Sequence, residues 1–229
     1  MDLFVVEMHQ TIDGEVNSKG QGVPTYLIRL AGCNLKCFYC DTKYSWEIKN
    51  QNKLGVEYIV DKVLSSNIKK ATITGGEPFL QVDGVSALIK KLVVKGLAVS
   101  VETNGTIFIP DEYFMFNPDF TCYIVDYKFV DDAKIIYANY SRLRKGDWVK
   151  FIIQNKADYI KAVERSNYLV KSLNCCAKIA FSCMYGGISY ESLLRWIMCD
   201  INRGSLFSNV YLNVQLHKFI FKDERELNR

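Results

Sequence analysis

Between positions 3 and 214 the chain alternates short apolar runs of strand character with stretches whose apolar residues recur at helical spacing. No other feature limits the fold as much. Residues 3–8 and 26–30 have the alternation and β-branching of strands. Val56, Ile59, Val60, Val63 and Leu64 mark a helix, residues 71–74 a short buried strand, Val85, Leu88, Ile89, Leu92 and Val93 a second helix, and residues 98–102 another strand. Further strands are expected near 123–126, 148–153, 178–182 and 210–214, with helices near 159–173 and 189–199. This order predicts an α/β fold with a mostly parallel sheet covered by right-handed crossovers. About six such units, against the eight of a closed barrel, predict a partial (β/α)6-type barrel open along one side. The polar runs 17–22 and 49–55 are expected to be a mobile surface turn and a connector.

At 229 residues the chain suits one domain, 1–229, with a core from about 3 to 218 and a charged tail over 219–229. Hydrophobic residues at 49% and charged residues at 24% exclude disorder and fibres. No apolar stretch approaches the ~20 residues of a membrane span, and residues 1–7 lack an export signal, so a cytoplasmic protein without a membrane partner is expected. The net charge of +4 is scattered, with no basic stripe for nucleic acid, and a small anionic substrate suits it as well.

Within this frame the loop Cys33-Asn34-Leu35-Lys36-Cys37-Phe38-Tyr39-Cys40 places three thiols at C-x3-C-x2-C spacing just after a strand. Thiolates gathered on one loop suit a four-iron, four-sulfur cluster, and three ligands leave one iron open. Zinc competes, but a closed zinc site needs four protein ligands, and the next cysteine is Cys122. Three unconnected core cysteines would not need this spacing. In a chain kept reduced, Cys122, Cys175, Cys176, Cys183 and Cys199 are expected in the core rather than in disulfides.

Other chemistry-bearing motifs also stand at predicted strand ends, where α/β barrels collect function. Gly75-Gly76-Glu77-Pro78 reads either as a turn with a capping acid or as a ligand-approach loop whose Glu77 meets an ammonium group. Glu102-Thr103-Asn104-Gly105, Asp126-Tyr127-Lys128 and Ser182 occupy similar positions. Arg29, on an apolar strand, needs a carboxylate, either internal or from a substrate.

The cysteine loop and the glycine–glutamate motif resemble the radical S-adenosylmethionine superfamily, in which the open iron is chelated by the cofactor. Gly14-Glu15, Arg29-Leu30-Ala31-Gly32-Cys33-Asn34-Leu35, Cys40-Asp41-Thr42 and the closing Gln215-Leu216-His217-Lys218 are similar to the 7-carboxy-7-deazaguanine synthase (QueE) family. The resemblance spans positions 7–218 and implies a radical S-adenosylmethionine core, with Cys33, Cys37 and Cys40 holding the cluster. It places Tyr39, Cys40, Asp41, Gly75, Gly76, Glu77, Glu102, Asn104, Asp126 and Lys128 along the cofactor, and makes Thr42 a magnesium ligand. Ile12, Asp13, Gly14, Glu15, Arg29, Thr74, Ser182 and His217 would face the substrate; His9 is expected to be structural.

The activity so implied converts 6-carboxy-5,6,7,8-tetrahydropterin to 7-carboxy-7-deazaguanine with loss of ammonia, in queuosine or archaeosine biosynthesis. A flavodoxin- or ferredoxin-type electron donor and a homodimer accompany it. Two departures stand out: Asp13 where the family has Gln, and Val16 where it has Gly. The alternatives are a glycyl-radical activase acting on a protein partner and a non-catalytic iron–sulfur electron-transfer module. Neither uses Arg29 or the closing motif.

Overall fold

The computed structural model describes residues 1–49 and 52–221. One nine-stranded sheet runs through it in the order β3-β1-β2-β4-β5-β6-β7-β8-β9. Its strands are β1 (Asp2–Ile12), β2 (Pro24–Leu30), β3 (Lys53–Gly55), β4 (Lys70–Gly75), β5 (Ala98–Thr103), β6 (Thr121–Tyr127), β7 (Trp148–Ile153), β8 (Lys178–Cys183) and β9 (Val210–Asn213). From β2 to β9 every neighbouring pair is parallel, while β1 pairs antiparallel with both β2 and β3. The sheet is therefore mostly parallel and open, with β3 and β9 at its edges.

Strand periodicity gives this sheet two different faces. On β4, Ala71 and Ile73 join the apolar core while Lys70, Thr72 and Thr74 occupy the alternate positions; on β7, Val149, Phe151 and Ile153 alternate with Trp148, Lys150 and Ile152. The helices cover the apolar face. In α1 (Val56–Ser65), Val56, Ile59, Val60 and Val63 are buried, and in α2 (Val82–Val94), Val85, Leu88, Ile89 and Leu92 are buried. Each such side chain contributes about 2 kcal/mol on burial. The short α3 (Asp111–Phe114) and α4 (Tyr137–Ser141) follow, then α5 (Lys156–Lys171), α6 (Tyr190–Asn202) and α7 (His217–Ile220). Asn155 and Ser189 cap α5 and α6 by accepting from Asp158 N and Ser192 N.

The opposite face carries the polar residues, together with Leu27, Ile152 and a small plug of Val16, Cys122, Ile124, Trp148 and Ala180. Val16, one of the two departures, is part of that plug.

Several expectations are corrected here. The first strand, expected over residues 3–8, continues to Ile12 because β2 pairs with it all the way to Pro24. The connector expected over 49–55 contains β3, whose residues pair with Asp2, Leu3 and Phe4; positions 50 and 51 lie outside the described residues. The turn over 17–22 lies at the surface as expected, with Ser18, Lys19, Gly20 and Gly22 exposed, and it is tied down at Asn17. Asn17 is buried and its amide donates to Glu15 O and Gly20 O, each at 3.0 Å. Cys122, Cys175 and Cys183 are buried as expected, but Cys176 and Cys199 are exposed. Most of the charged tail, 222–229, lies outside the described residues.

Candidate active site

A cavity of about 520 Å³ opens where the parallel strands end. The cysteine loop forms its rim. Ala31 N donates to Phe4 O at 2.8 Å, and Gly32 N to Ser45 O at 2.8 Å, so the loop leaves β2 already fixed by its backbone. The turn after β4 is stapled to the same place, with Gly76 N donating to Leu30 O at 2.9 Å and Glu77 N to Gly32 O at 2.7 Å. Both glycines are needed for this approach. Gly75 has φ +132°, and a Cβ on Gly76 would lie 1.9 Å from Gly32 O.

The thiols of Cys33, Cys37 and Cys40 are half-buried, line this one cavity and form no disulfide. Burial, opposed by a hydrogen bond from Leu35 N, pushes the Cys33 thiol up. The three thiols share one loop and one cavity, the arrangement of thiolates that suits an iron–sulfur cluster with one iron left open.

Beside the thiols, Tyr39, Asp41 and Thr42 line the wall. Lys218 Nζ lies 2.7 Å from Asp41 Oδ2; burial opposes ionisation of Asp41, but Lys218 outweighs it and holds the carboxyl below the usual range. Thr42 Oγ1 lies 3.6 Å from Cys40 Sγ. Across the cavity, Asn104 donates through Nδ2 to Asn34 Oδ1 at 2.9 Å. Lys128 lies 3.0 Å from Asp126 Oδ2, with its ammonium over the Tyr39 ring. Asp126 outweighs burial and raises the Lys128 ammonium above its ordinary range.

On the other side of the cavity stand Ile12, Asp13, Gly14, Glu15, Arg29, Thr74 and His217. Arg29 has found an internal carboxylate, with Nε 2.5 Å from Glu7 Oε1, which also accepts from Tyr44 Oη at 2.9 Å. The closing motif folds over this wall. Leu216 N donates to Gly14 O at 2.9 Å, Gln215 Nε2 to Glu15 Oε1 at 2.8 Å, and the His217 ring occupies the space a Cβ on Gly14 would take. Glu102 accepts from Thr74 Oγ1 at 2.8 Å; burial, opposed by Lys150 and reinforced by Glu15 and Asp13, lifts its carboxyl to about 7.

Two predicted residues stand behind the wall. Glu77 is fully buried and spends its carboxylate on the protein, accepting from Phe79 N at 3.0 Å, Thr103 Oγ1 at 2.7 Å and Asn104 N at 2.7 Å. That is the capping role, and burial raises its carboxyl. Ser182 is sealed under Asn213, whose Nδ2 donates to its hydroxyl at 3.0 Å; Met184 and Tyr185 line the cavity instead. His9, expected to be structural, lines the cavity.

Sequence reasoning missed Lys150. Its buried ammonium bonds Glu15 Oε2 and lies 3.1 Å from Asp126 Oδ1, joining the two sides of the cavity. It carries the signal that singled out Arg29, a cation on an apolar strand. Lys70, Gln21 and Asn213 were also missed; Gln21 Nε2 donates to Asn213 Oδ1 at 2.8 Å and Val214 O at 2.7 Å.

Comparison with known proteins places this arrangement. A family model described as the Radical SAM superfamily matches residues 27–119. The 7-carboxy-7-deazaguanine synthase of Clostridium acetobutylicum is 32% identical over 98% of this chain and 99% of its own. That of Methanospirillum hungatei is 32% identical over 94% and 84%. The crystal structure of QueE from Escherichia coli superposes with a TM-score of 0.74 at 23% identity, covering 95% of both chains, and shares the fold. The chain belongs to the 7-carboxy-7-deazaguanine synthase family of the radical S-adenosylmethionine superfamily.

Proposed function

We propose that this protein is a lyase that converts 6-carboxy-5,6,7,8-tetrahydropterin to 7-carboxy-7-deazaguanine, with ring contraction and loss of ammonia. The observation that carries the reading is the meeting, in one cavity, of three half-buried thiols with Arg29, residues 12–15 and the closing His217 turn. When bound on Cys33, Cys37 and Cys40, a [4Fe-4S] cluster would supply one-electron cleavage of S-adenosylmethionine and, through it, hydrogen abstraction.

The chain's own residues position and shield. Tyr39, the backbone of Gly75 and Gly76, Asn104, Asp126 and Lys128 form the wall beside the thiols and suit a cofactor with an amino acid head and a ribose. Arg29, steadied by Glu7, offers a planar cation to a substrate carboxylate. Residues 12–15 and His217 would hold the ring. Such fixing matters because hydrogen transfer tolerates little misplacement. Glu102, titrating near 7, can hold or release a proton at neutral pH beside Thr74. Thr42 would take magnesium, whose remaining positions suit a substrate carboxylate.

Positions 1–229 are read as one functional domain, served by a flavodoxin- or ferredoxin-type reductant and acting as a homodimer. No helix among the described residues is long and apolar enough to cross a membrane, in keeping with a cytoplasmic enzyme. The test is anaerobic reconstitution and reduction, followed by measurement of 5′-deoxyadenosine and deazaguanine from the carboxypterin with and without magnesium. Substrate-dependent, magnesium-stimulated product is expected. Cleavage of S-adenosylmethionine without deazaguanine would remove the assigned substrate and favour the activase alternative.

A further inference from the structure

Strand β1 changes face part-way along. Leu3 and Val5 join the apolar core, and strict alternation would send Glu7 to the same side. The pairing with β2 shifts at this point, from Val5 opposite Leu30 to Glu7 opposite Arg29, so Val6 is the extra residue of a β-bulge. Beyond it Met8 packs against the core, and Glu7 shares the face of His9 and Thr11, which line the cavity. A bulge gives up a regular ladder and re-aims a side chain. Here the side chain is the carboxylate that meets Arg29.

Glu7 has a second partner. Its Oε1 accepts from Arg29 Nε at 2.5 Å and from Tyr44 Oη at 2.9 Å. Burial opposes ionisation of Glu7, but Arg29 and the hydrogen bonds from Arg29 and Tyr44 outweigh it and hold the carboxyl below the usual carboxylate range. Tyr44 belongs to the short turn Lys43–Ser45, which is tied to both ends of the cysteine loop. Ser45 N and Oγ donate to Thr42 O at 2.9 Å and 2.7 Å, and Ser45 O accepts from Gly32 N at 2.8 Å. A chain of bonds therefore runs from the guanidinium through Glu7 and Tyr44 to the backbone that flanks Cys33 and Cys40.

We infer that Glu7 and Tyr44 are positioning residues that fix the Arg29 guanidinium in register with the cysteine loop, so that a carboxylate held by Arg29 sets how far its ring lies from the thiol rim. This rests on the pterin reading of the site. Glu7 takes the Nε side of the guanidinium, and the terminal nitrogens of an arginine form the fork that suits a carboxylate bidentately. An arginine without its anchor keeps its charge and loses its orientation. Ordering one such side chain again on binding costs roughly threefold to tenfold in affinity. Misplacement of the ring also uncouples cleavage of S-adenosylmethionine from hydrogen transfer to the substrate, because that transfer tolerates little error of position.

The test compares pterin-6-carboxylate with 6-methylpterin, which lacks the carboxylate, by quenching of probe fluorescence on the cluster-loaded enzyme with S-adenosylmethionine. The ratio of 5′-deoxyadenosine to deazaguanine is measured alongside, in turnover of the carboxypterin. Glu7→Ala is expected to weaken pterin-6-carboxylate by roughly threefold to tenfold, to leave 6-methylpterin little changed, and to raise the ratio. Tyr44→Phe removes an exposed hydroxyl and should move both readings the same way by less; it carries the test if Glu7→Ala folds poorly. Glu7→Gln keeps an oxygen for both donors and should recover most of the carboxylate preference. Equal weakening of both probes, as a purely structural role predicts, would overturn the inference and leave the synthase reading standing, as would an unchanged preference and ratio in the variants. Failure of both probes to bind the wild type would overturn the pterin reading and this inference with it.

Discussion

Two walls of one cavity are held by different means. At the cysteine rim the staples are backbone hydrogen bonds between the ends of β2 and β4, Gly76 N to Leu30 O and Glu77 N to Gly32 O, made possible by glycines. At the floor the staples are charges: Lys70 with Asp13, and Lys150 with Glu15 and Asp126. Backbone staples leave the rim side chains half-buried and available to a ligand. Ion pairs bury theirs, so the charged atoms of the floor are committed to holding its strands and loops together. A rim thiol can therefore be removed at little cost to the fold, and a floor charge cannot.

The largest expected effect isolates the rim. Cys37→Ser should abolish the cluster absorbance and reduce deazaguanine formation to background, while apo forms of wild type and variant unfold within about 0.5 kcal/mol of each other. A large loss of apo stability would break the contrast.

Next comes the floor. Lys150→Met leaves Glu15 and Asp126 without their shared ammonium, and denaturant unfolding should record a loss of about 3–5 kcal/mol. A loss under about 1 kcal/mol would mean that the floor tolerates charge removal like an exposed pair.

Gly76→Ala tests the backbone staple itself. Its Cβ would lie 1.9 Å from Gly32 O, so the rim must shift, with an expected cost of about 1–3 kcal/mol and weaker cluster retention on gel filtration.

The smallest effect is a slope. Glu102 titrates at about 7 in the folded protein against 4.5 for an ordinary glutamate, so the folded state holds this proton longer than the unfolded chain does. The stability it contributes is full below the unfolded value and is lost as pH rises through about 7. Wild-type unfolding free energy should therefore fall between about pH 5 and 7.5 relative to Glu102→Gln, which cannot titrate. Parallel curves would place Glu102 outside the floor's charge network.

Legibility in the sequence follows the same division. Helices α1 and α2 and strands β4 to β8 could be read from periodicity, because their apolar residues are set by local geometry and one covering layer. Strand β3 could not: its three residues have no apolar pattern and are extended only because Asp2, Leu3 and Phe4 lie alongside. Gly75-Gly76-Glu77-Pro78 was legible as a turn, yet whether Glu77 faced a ligand or capped that turn depended on Thr103 and Asn104, remote in sequence. Ser182 sat at the right strand end, and Asn213 then closed over it.

The sequence alone determined the alternating elements, the cysteine spacing and the positions of motifs at strand ends, since these depend on neighbours a few residues apart. Only the tertiary structure decided which charges share the cavity. Asp13 meets Lys70, and Glu15 meets Lys150, because a buried charge takes its partner from whichever strand lies beside it, and the sheet order, not the local pattern, sets that neighbour.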